Sequence, residues 1–165
     1  MEQRKAADSI CFTPAPSPRA FHKCATAVRC FLDDELESLC ISLAPAKQHR
    51  FKGELKALCL EAAKGQLDYS DYYPPLSPCA TQPDIWELRY QLDDAPYRLY
   101  YSEDDKRTPE FVGLLLSKKA IDGYSSDEIK SLQNTAIADA QDRFNQYRNQ
   151  TWGHASMACT FCVKN

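Results

Sequence analysis

Residues 84–104 read DIWELRYQLDDAPYRLYYSED, and their pattern decides the fold class. Residues 85–91 and 97–102 are rich in aromatic side chains and alternate in polarity around the acidic, proline-containing LDDAP. Alternation of period two on both sides of a turn predicts an antiparallel hairpin. In the first run Trp86, Leu88 and Tyr90 share one face, so Glu87 and Arg89 share the other. In the second run Tyr97, Leu99 and Tyr101 oppose Arg98 and Tyr100. Where these faces coincide, two guanidinium groups stand on one side of the sheet. Either Glu87 pairs with them as an ordinary ion pair, or they converge on something negative.

The elements around the hairpin follow from the same kind of pattern. Residues 111–117, FVGLLLS, are continuously apolar until the last, as expected of a central strand buried on both faces. The expected core face of the sheet holds Trp86, Leu88, Leu99 and one of Leu114 and Leu115. Upstream, Val28, Leu32, Leu36, Leu39 and Leu43 recur at helical spacing, and Phe51, Leu55, Leu58 and Ala62 mark a second helix over residues 45–64, stopped by Gly65. The second helix has a basic outer face, Lys47, Arg50, Lys52 and Lys56, which is either solvated or turned toward phosphate. Residues 66–83, with three tyrosines and four prolines, carry no period and read as a long loop. Downstream, Ser125 and Glu128 fit a capping box, and Ile129, Leu132, Ala136, Ile137, Ala140 and Phe144 carry a helix to residue 147. Residues 1–20 are expected to be a disordered lead-in, with a short strand near residues 9–13 as the alternative, and 151–165 a loose tail. Residues 21–150 form the single domain.

Composition narrows the function. Hydrophobic residues make up 44% and charged residues 26% of the 165, the balance of a soluble globular protein. No apolar run reaches the roughly 20 residues of a membrane span. The opening MEQRKAADS lacks the apolar middle of a secretion signal, so a cytoplasmic location and reduced thiols are expected for the eight cysteines. Cys40 and Cys59 fall among apolar residues and read as small core hydrophobes. A net charge of −3 excludes a protein that grips nucleic acid through bulk charge; such a site must be a local patch. Cys159 and Cys162 form a CxxC pair with His154 upstream, but a structural zinc site needs four ligands, and His22 and Cys24 could join only if the chain ends meet. No metal and no cofactor is expected. There is no Gly-rich phosphate loop, HExxH or GxSxG, and histidines at 22, 49 and 154 offer no paired nucleophile.

The order helix, helix, Trp86-Glu87-Leu88-Arg89, Tyr97-Arg98-Leu99-Tyr100, apolar strand, Lys118-Lys119, Glu128-Ile129 and Ala140-Gln141-Asp142-Arg143 resembles the RelE/HigB-like toxin superfamily, particularly its phage-derived HigB-like branch. The resemblance implies an α+β fold: two N-terminal helices packed on a small antiparallel sheet of three or four strands, then a C-terminal helix. It implies the toxin of a type II toxin-antitoxin system, a ribosome-dependent mRNA endoribonuclease acting by 2′-hydroxyl attack on the adjacent phosphate without metal. The implied partners are a cognate helix-turn-helix antitoxin and mRNA on the ribosome. Arg98 matches the family's phosphate-stabilising arginine, and Arg89 stands where a relative carries a catalytic lysine. Lys118 or Lys119 matches the basic residue after the last strand, and Tyr124 the tyrosine that stacks on or protonates the substrate. Lys52, Lys56 and Arg143 are the implied RNA contacts. Glu87 departs from the pattern, standing where a second lysine occurs, and repels phosphate unless it serves as a base. Two rival readings use the same scaffold: a non-catalytic protein-interaction module, and a ParE-like toxin directed at gyrase.

Overall fold

The computed structural model describes residues 9–14, 21–23, 30–67, 76–79, 81–82, 84–104 and 110–149. Among them the elements run β1 (Phe21–Lys23), α1 (Phe31–Cys40), α2 (Pro45–Lys64), β2 (Leu76–Pro78), β3 (Trp86–Leu92), β4 (Ala95–Asp104), β5 (Glu110–Lys118) and α3 (Ser126–Tyr147). The chain is α+β.

The hairpin of β3 and β4 closes on two residues. Leu92 pairs with Ala95, and Asp93 between them takes a left-handed φ of 52°, the backbone twist that short hairpin turns require. Both strands extend beyond the alternating runs to the turn, because Leu92 and Ala95 pair and Gln91 pairs with Pro96. β5 adds to β4 antiparallel, β2 to β3 antiparallel, and β1 to β5 parallel, giving the order β1-β5-β4-β3-β2. The sheet is thus five-stranded and mixed, where the resemblance implies three or four antiparallel strands. The two added strands have three residues each, too few to show a period.

Helix ends follow local chemistry. Pro45 opens α2, where its missing N–H costs nothing, and Gly65 closes it at φ 71°, with the Gln66 N–H returning to the Glu61 carbonyl at 3.0 Å. The capping box of α3 is formed: the Ser125 hydroxyl accepts from the Glu128 N–H at 3.3 Å, and the Glu128 carboxylate accepts from the Ser125 N–H at 2.7 Å.

Helices cover both faces of the sheet. Leu32 and Cys40 of α1 and Phe51, Leu55 and Cys59 of α2 pack with Trp86, Leu88, Tyr97, Leu99, Tyr101 and Leu116. On the other face Ile137, Ala140 and Phe144 of α3 pack with Tyr100, Val112, Leu114 and Leu115. A bulge corrects the expected core face. Tyr100 pairs with Leu115 but Tyr101 with Gly113, so Leu114 is the extra residue. Both Leu114 and Leu115 therefore belong to the α3 layer, and Leu116 joins Trp86, Leu88 and Leu99.

Two further features hold the edges. Among the described residues β1 covers β5 at Phe111, Val112 and Gly113. Beyond it, the Leu116 N–H donates to Glu35 at 2.8 Å, the Leu114 carbonyl accepts from Arg143 at 2.7 Å, and the two side chains form an ion pair at 2.6 Å. Within the expected lead-in, Ile10–Phe12 form a 3-10 turn with Ser9 and Cys11 fully buried, not a disordered stretch. The Ser9 hydroxyl lies 3.3 Å from the Tyr101 hydroxyl and donates to Glu103, whose carboxylate also receives the Ile10 N–H at 3.3 Å. Buried polar groups are matched there, which is why a segment without period is ordered. The tail with Cys159, Cys162 and His154 lies outside the described residues.

Candidate functional site

Arg89 and Arg98 are direct cross-strand partners, so the two guanidinium groups do stand on one face. Like charges placed so close are unfavourable unless a counter-charge offsets them. Glu87, two residues along β3 on the same face, supplies it. Its Oε1 accepts from Arg89 Nε and lies 2.8 Å from Arg89 Nη2. Its Oε2 lies 3.7 Å from Arg98 Nε and accepts from Gln133 Nε2 at 3.1 Å. The result is an Arg–Glu–Arg cluster on the α3 side of the sheet, roofed by one amide from the helix.

The three side chains differ in access. Arg89 is 44% exposed, Arg98 12% and Glu87 5%. Arg98 donates from Nη1 to the Tyr97 carbonyl at 3.0 Å, while its Nε is buried and hydrogen-bonds to no described atom. Burial pulls Arg98 below the ordinary arginine value, an effect that Glu87 opposes and Arg89 reinforces. Arg98 is the member of the cluster with the most to gain from a further anion. Burial and the Glu87 charge push the Tyr100 hydroxyl well up, so it stays protonated beneath the cluster.

The other expected site residues are dispersed. Lys118 pairs with Tyr97 and therefore points to the opposite face from Arg98. There it lines a cleft of about 310 Å³ with Leu43, Lys47, Leu92, Tyr97 and Ile121. Lys119 is fixed through its backbone, its N–H donating to the Pro96 carbonyl at 2.9 Å. Tyr124 is 51% exposed and immediately precedes the cap of α3. Lys52 is engaged by Glu37 at 2.5 Å, and Lys56 is exposed on the same helix; both ride on α2, the layer across the sheet from the arginines. Lys47 and Arg50 reach Asp93 at 3.0 and 2.7 Å, so much of the basic face of α2 ties helix to turn. Arg143 is engaged at the sheet edge, bound to Glu35 and the Leu114 carbonyl with its guanidinium 4.5 Å over the Phe31 ring.

Gln133 is the member of the cluster that the pattern missed. Its signal was a polar side chain on the stripe that continues through Ile137, Ala140 and Phe144. Among the described residues no three His, Cys, Asp or Glu side chains are grouped to hold a metal, and no helix is long and apolar enough to cross a membrane. No protein-family model, curated protein or solved structure matches the chain.

Proposed function

We propose that the chain is a RelE/HigB-like toxin of a type II toxin-antitoxin pair, acting in the cytoplasm as a ribosome-dependent mRNA endoribonuclease. The observation that carries this reading is one carboxylate bracketed by two cross-strand arginines. Cleavage by 2′-hydroxyl attack needs a base for the hydroxyl proton and cations for the phosphorane. In this reading Glu87 takes the proton and Arg89 and Arg98 hold the phosphate oxygens. The 2′-oxygen forms its bond to phosphorus, the bond to the 5′-oxygen breaks, and solvent water returns a proton to that oxygen, since Tyr124 beside the α3 cap is not part of the cluster. The carboxylate that departs from the family pattern thereby becomes the base. Lys118, across the sheet, drops out of the proposed machinery. The antitoxin would be a helix-turn-helix protein, as the resemblance implies.

A second reading draws on a different observation. Glu87 and Arg98 are nearly buried and already pair with each other's charges, the arrangement of a static ion pair in a protein-interaction module. Induced expression separates the two. Growth arrest and codon-periodic mRNA ends should appear with the parent and with His49→Ala on the exposed face of α2. Both should be lost in Arg98→Ala and Glu87→Gln, with a rate deficit of about 10²–10³. Equal toxicity of all four proteins, or no cleavage by any, ends the enzyme reading in favour of the module.

A further inference from the structure

Helix α3 is held unevenly. Its second half carries the buried Ile137, Ala140 and Phe144 and the Arg143 contact to the Leu114 carbonyl. Through residues 126–134 every residue is exposed except Ile129 and Gln133, which are half-buried. Gln133 supplies the hydrogen bond from this half to the sheet, at 3.1 Å to Glu87 Oε2. Between the halves, the Thr135 hydroxyl donates back to the Ser131 carbonyl at 3.0 Å. Back-bonding of this kind weakens the helical ladder and favours a bend at that turn. The capping box at Ser125 and Glu128 holds the first turn, while the turns between it and Thr135 rest on few contacts to the sheet and can open locally.

We propose that residues 126–134 of α3 form a gate over the Arg–Glu–Arg cluster, hinged at Thr135 and latched by Gln133 on Glu87. This rests on the reading of the cluster as a phosphodiester site. With the latch closed, Glu87 Oε2 is occupied by the Gln133 amide, and Arg98 Nε lies buried with its nearest carboxylate oxygen 3.7 Å away. Opening uncovers both together: a carboxylate oxygen able to take a proton, and a guanidinium edge able to take a phosphate oxygen. A phosphodiester on Arg98 then occupies the position that the latch defends. Substrate and Gln133 therefore compete, and the closed helix keeps the resting protein from acting on stray RNA.

The probe is a single-stranded 2′-deoxy oligonucleotide, which has the phosphate but not the attacking hydroxyl, so binding is read apart from chemistry. Gln133→Ala, and Gln133→Met of similar length without the donor, should bind it roughly tenfold more tightly than the parent, the ratio set by about 1.4 kcal/mol. Asn134→Ala, exposed on the same helix, should bind as the parent does. Hydrogen exchange should speed up over residues 129–134 in both Gln133 variants and stay unchanged over 137–144. Tighter binding with local exchange, but no RNA cleavage by any protein, supports the gate while ending the nuclease reading. Unchanged affinity in the Gln133 variants, no binding by any protein, or faster exchange along the whole helix overturns the gate.

Discussion

Glu35 and Arg143 do the work of a strand. Their ion pair, at 2.6 Å, supplies one acceptor and one donor to the Leu116 N–H and the Leu114 carbonyl where β1 has ended. Each charge satisfies a backbone group as well as its partner. Arg143→Ala would leave a carbonyl and a carboxylate short of a donor, and should cost about 2–3 kcal/mol, below the usual loss for a fully buried pair because each side chain keeps about a fifth of its exposure. The double variant with Glu35→Ala should lose less than the sum of the single losses, since both act on one interaction. Urea midpoints measure this. Additive losses, or a variant that stays stable but loses RNA affinity, would return Arg143 to the binding role that the resemblance implies.

The N-terminal turn should matter for stability. Ser9 and Cys11 are fully buried, and Ser9, Ile10 and Tyr101 all donate to the Glu103 carboxylate. Hydrogen bonds to an ionised group contribute about 1.5–3 kcal/mol each. Deleting residues 1–14 should therefore lower Tm by roughly 6–12 °C, corresponding to about 3 kcal/mol in a domain of this size. An unchanged Tm would mean that the turn merely rests on the sheet.

Asp93 makes the hairpin turn sensitive to acid. Hydrogen bonds from Arg50 and Lys47 hold its carboxyl below the ordinary aspartate value of 3.8. A folded-state value below the unfolded one stabilises the protein above pH 3.8 and is lost as pH falls through the depressed value. Asp93→Asn keeps a residue tolerant of the φ of 52° while removing the charge. The variant should be less stable at pH 7 and converge with the parent near pH 2, and 0.5 M salt should narrow the gap. A constant difference across that pH range would show that the turn depends on geometry alone.

Trp86 offers a test of the α2 layer. It is 2% exposed and packs in one cluster with Leu88, Leu99 and Phe51. Trp86→Ala should destabilise by about 3–5 kcal/mol. A loss under about 1 kcal/mol would mean that the layer collapses into the space.

Legibility in the sequence followed length and period. The 20 residues of α2, the capping box of α3 and the alternating hairpin could be located because each repeats a pattern several times. β1 and β2 escaped because they are three residues long, and β1 owes its pairing to a strand at the far end of the sheet-forming sequence. The bulge at Tyr100 and Tyr101 moved Leu114 to the α3 layer, and its one local sign was Gly113 inside the apolar run. The arginine pair was readable from alternation. The fate of Lys118 was not, because its face depends on the register of β5 against Tyr97. Gln133 could be seen only as a polar break in an apolar stripe, with its target 46 residues earlier in the chain.

The parallel pairing of β1 with β5 also orders events in time. Phe21 pairs with Phe111, so the strand made first must wait for the strand made last. At 5–20 residues per second the intervening chain takes roughly 5–20 s to synthesise. Through that interval Phe21–Lys23 lack the strand they pair with, and Ser9 lacks Glu103 until β4 is made. Contacts of such separation are slow to form even in a finished chain, because a long loop must close before they can begin to stabilise it. The nascent protein therefore carries an unpaired β1 until β5 emerges. Chaperone demand during synthesis should track the delivery of β5 more closely than the stability of the finished fold.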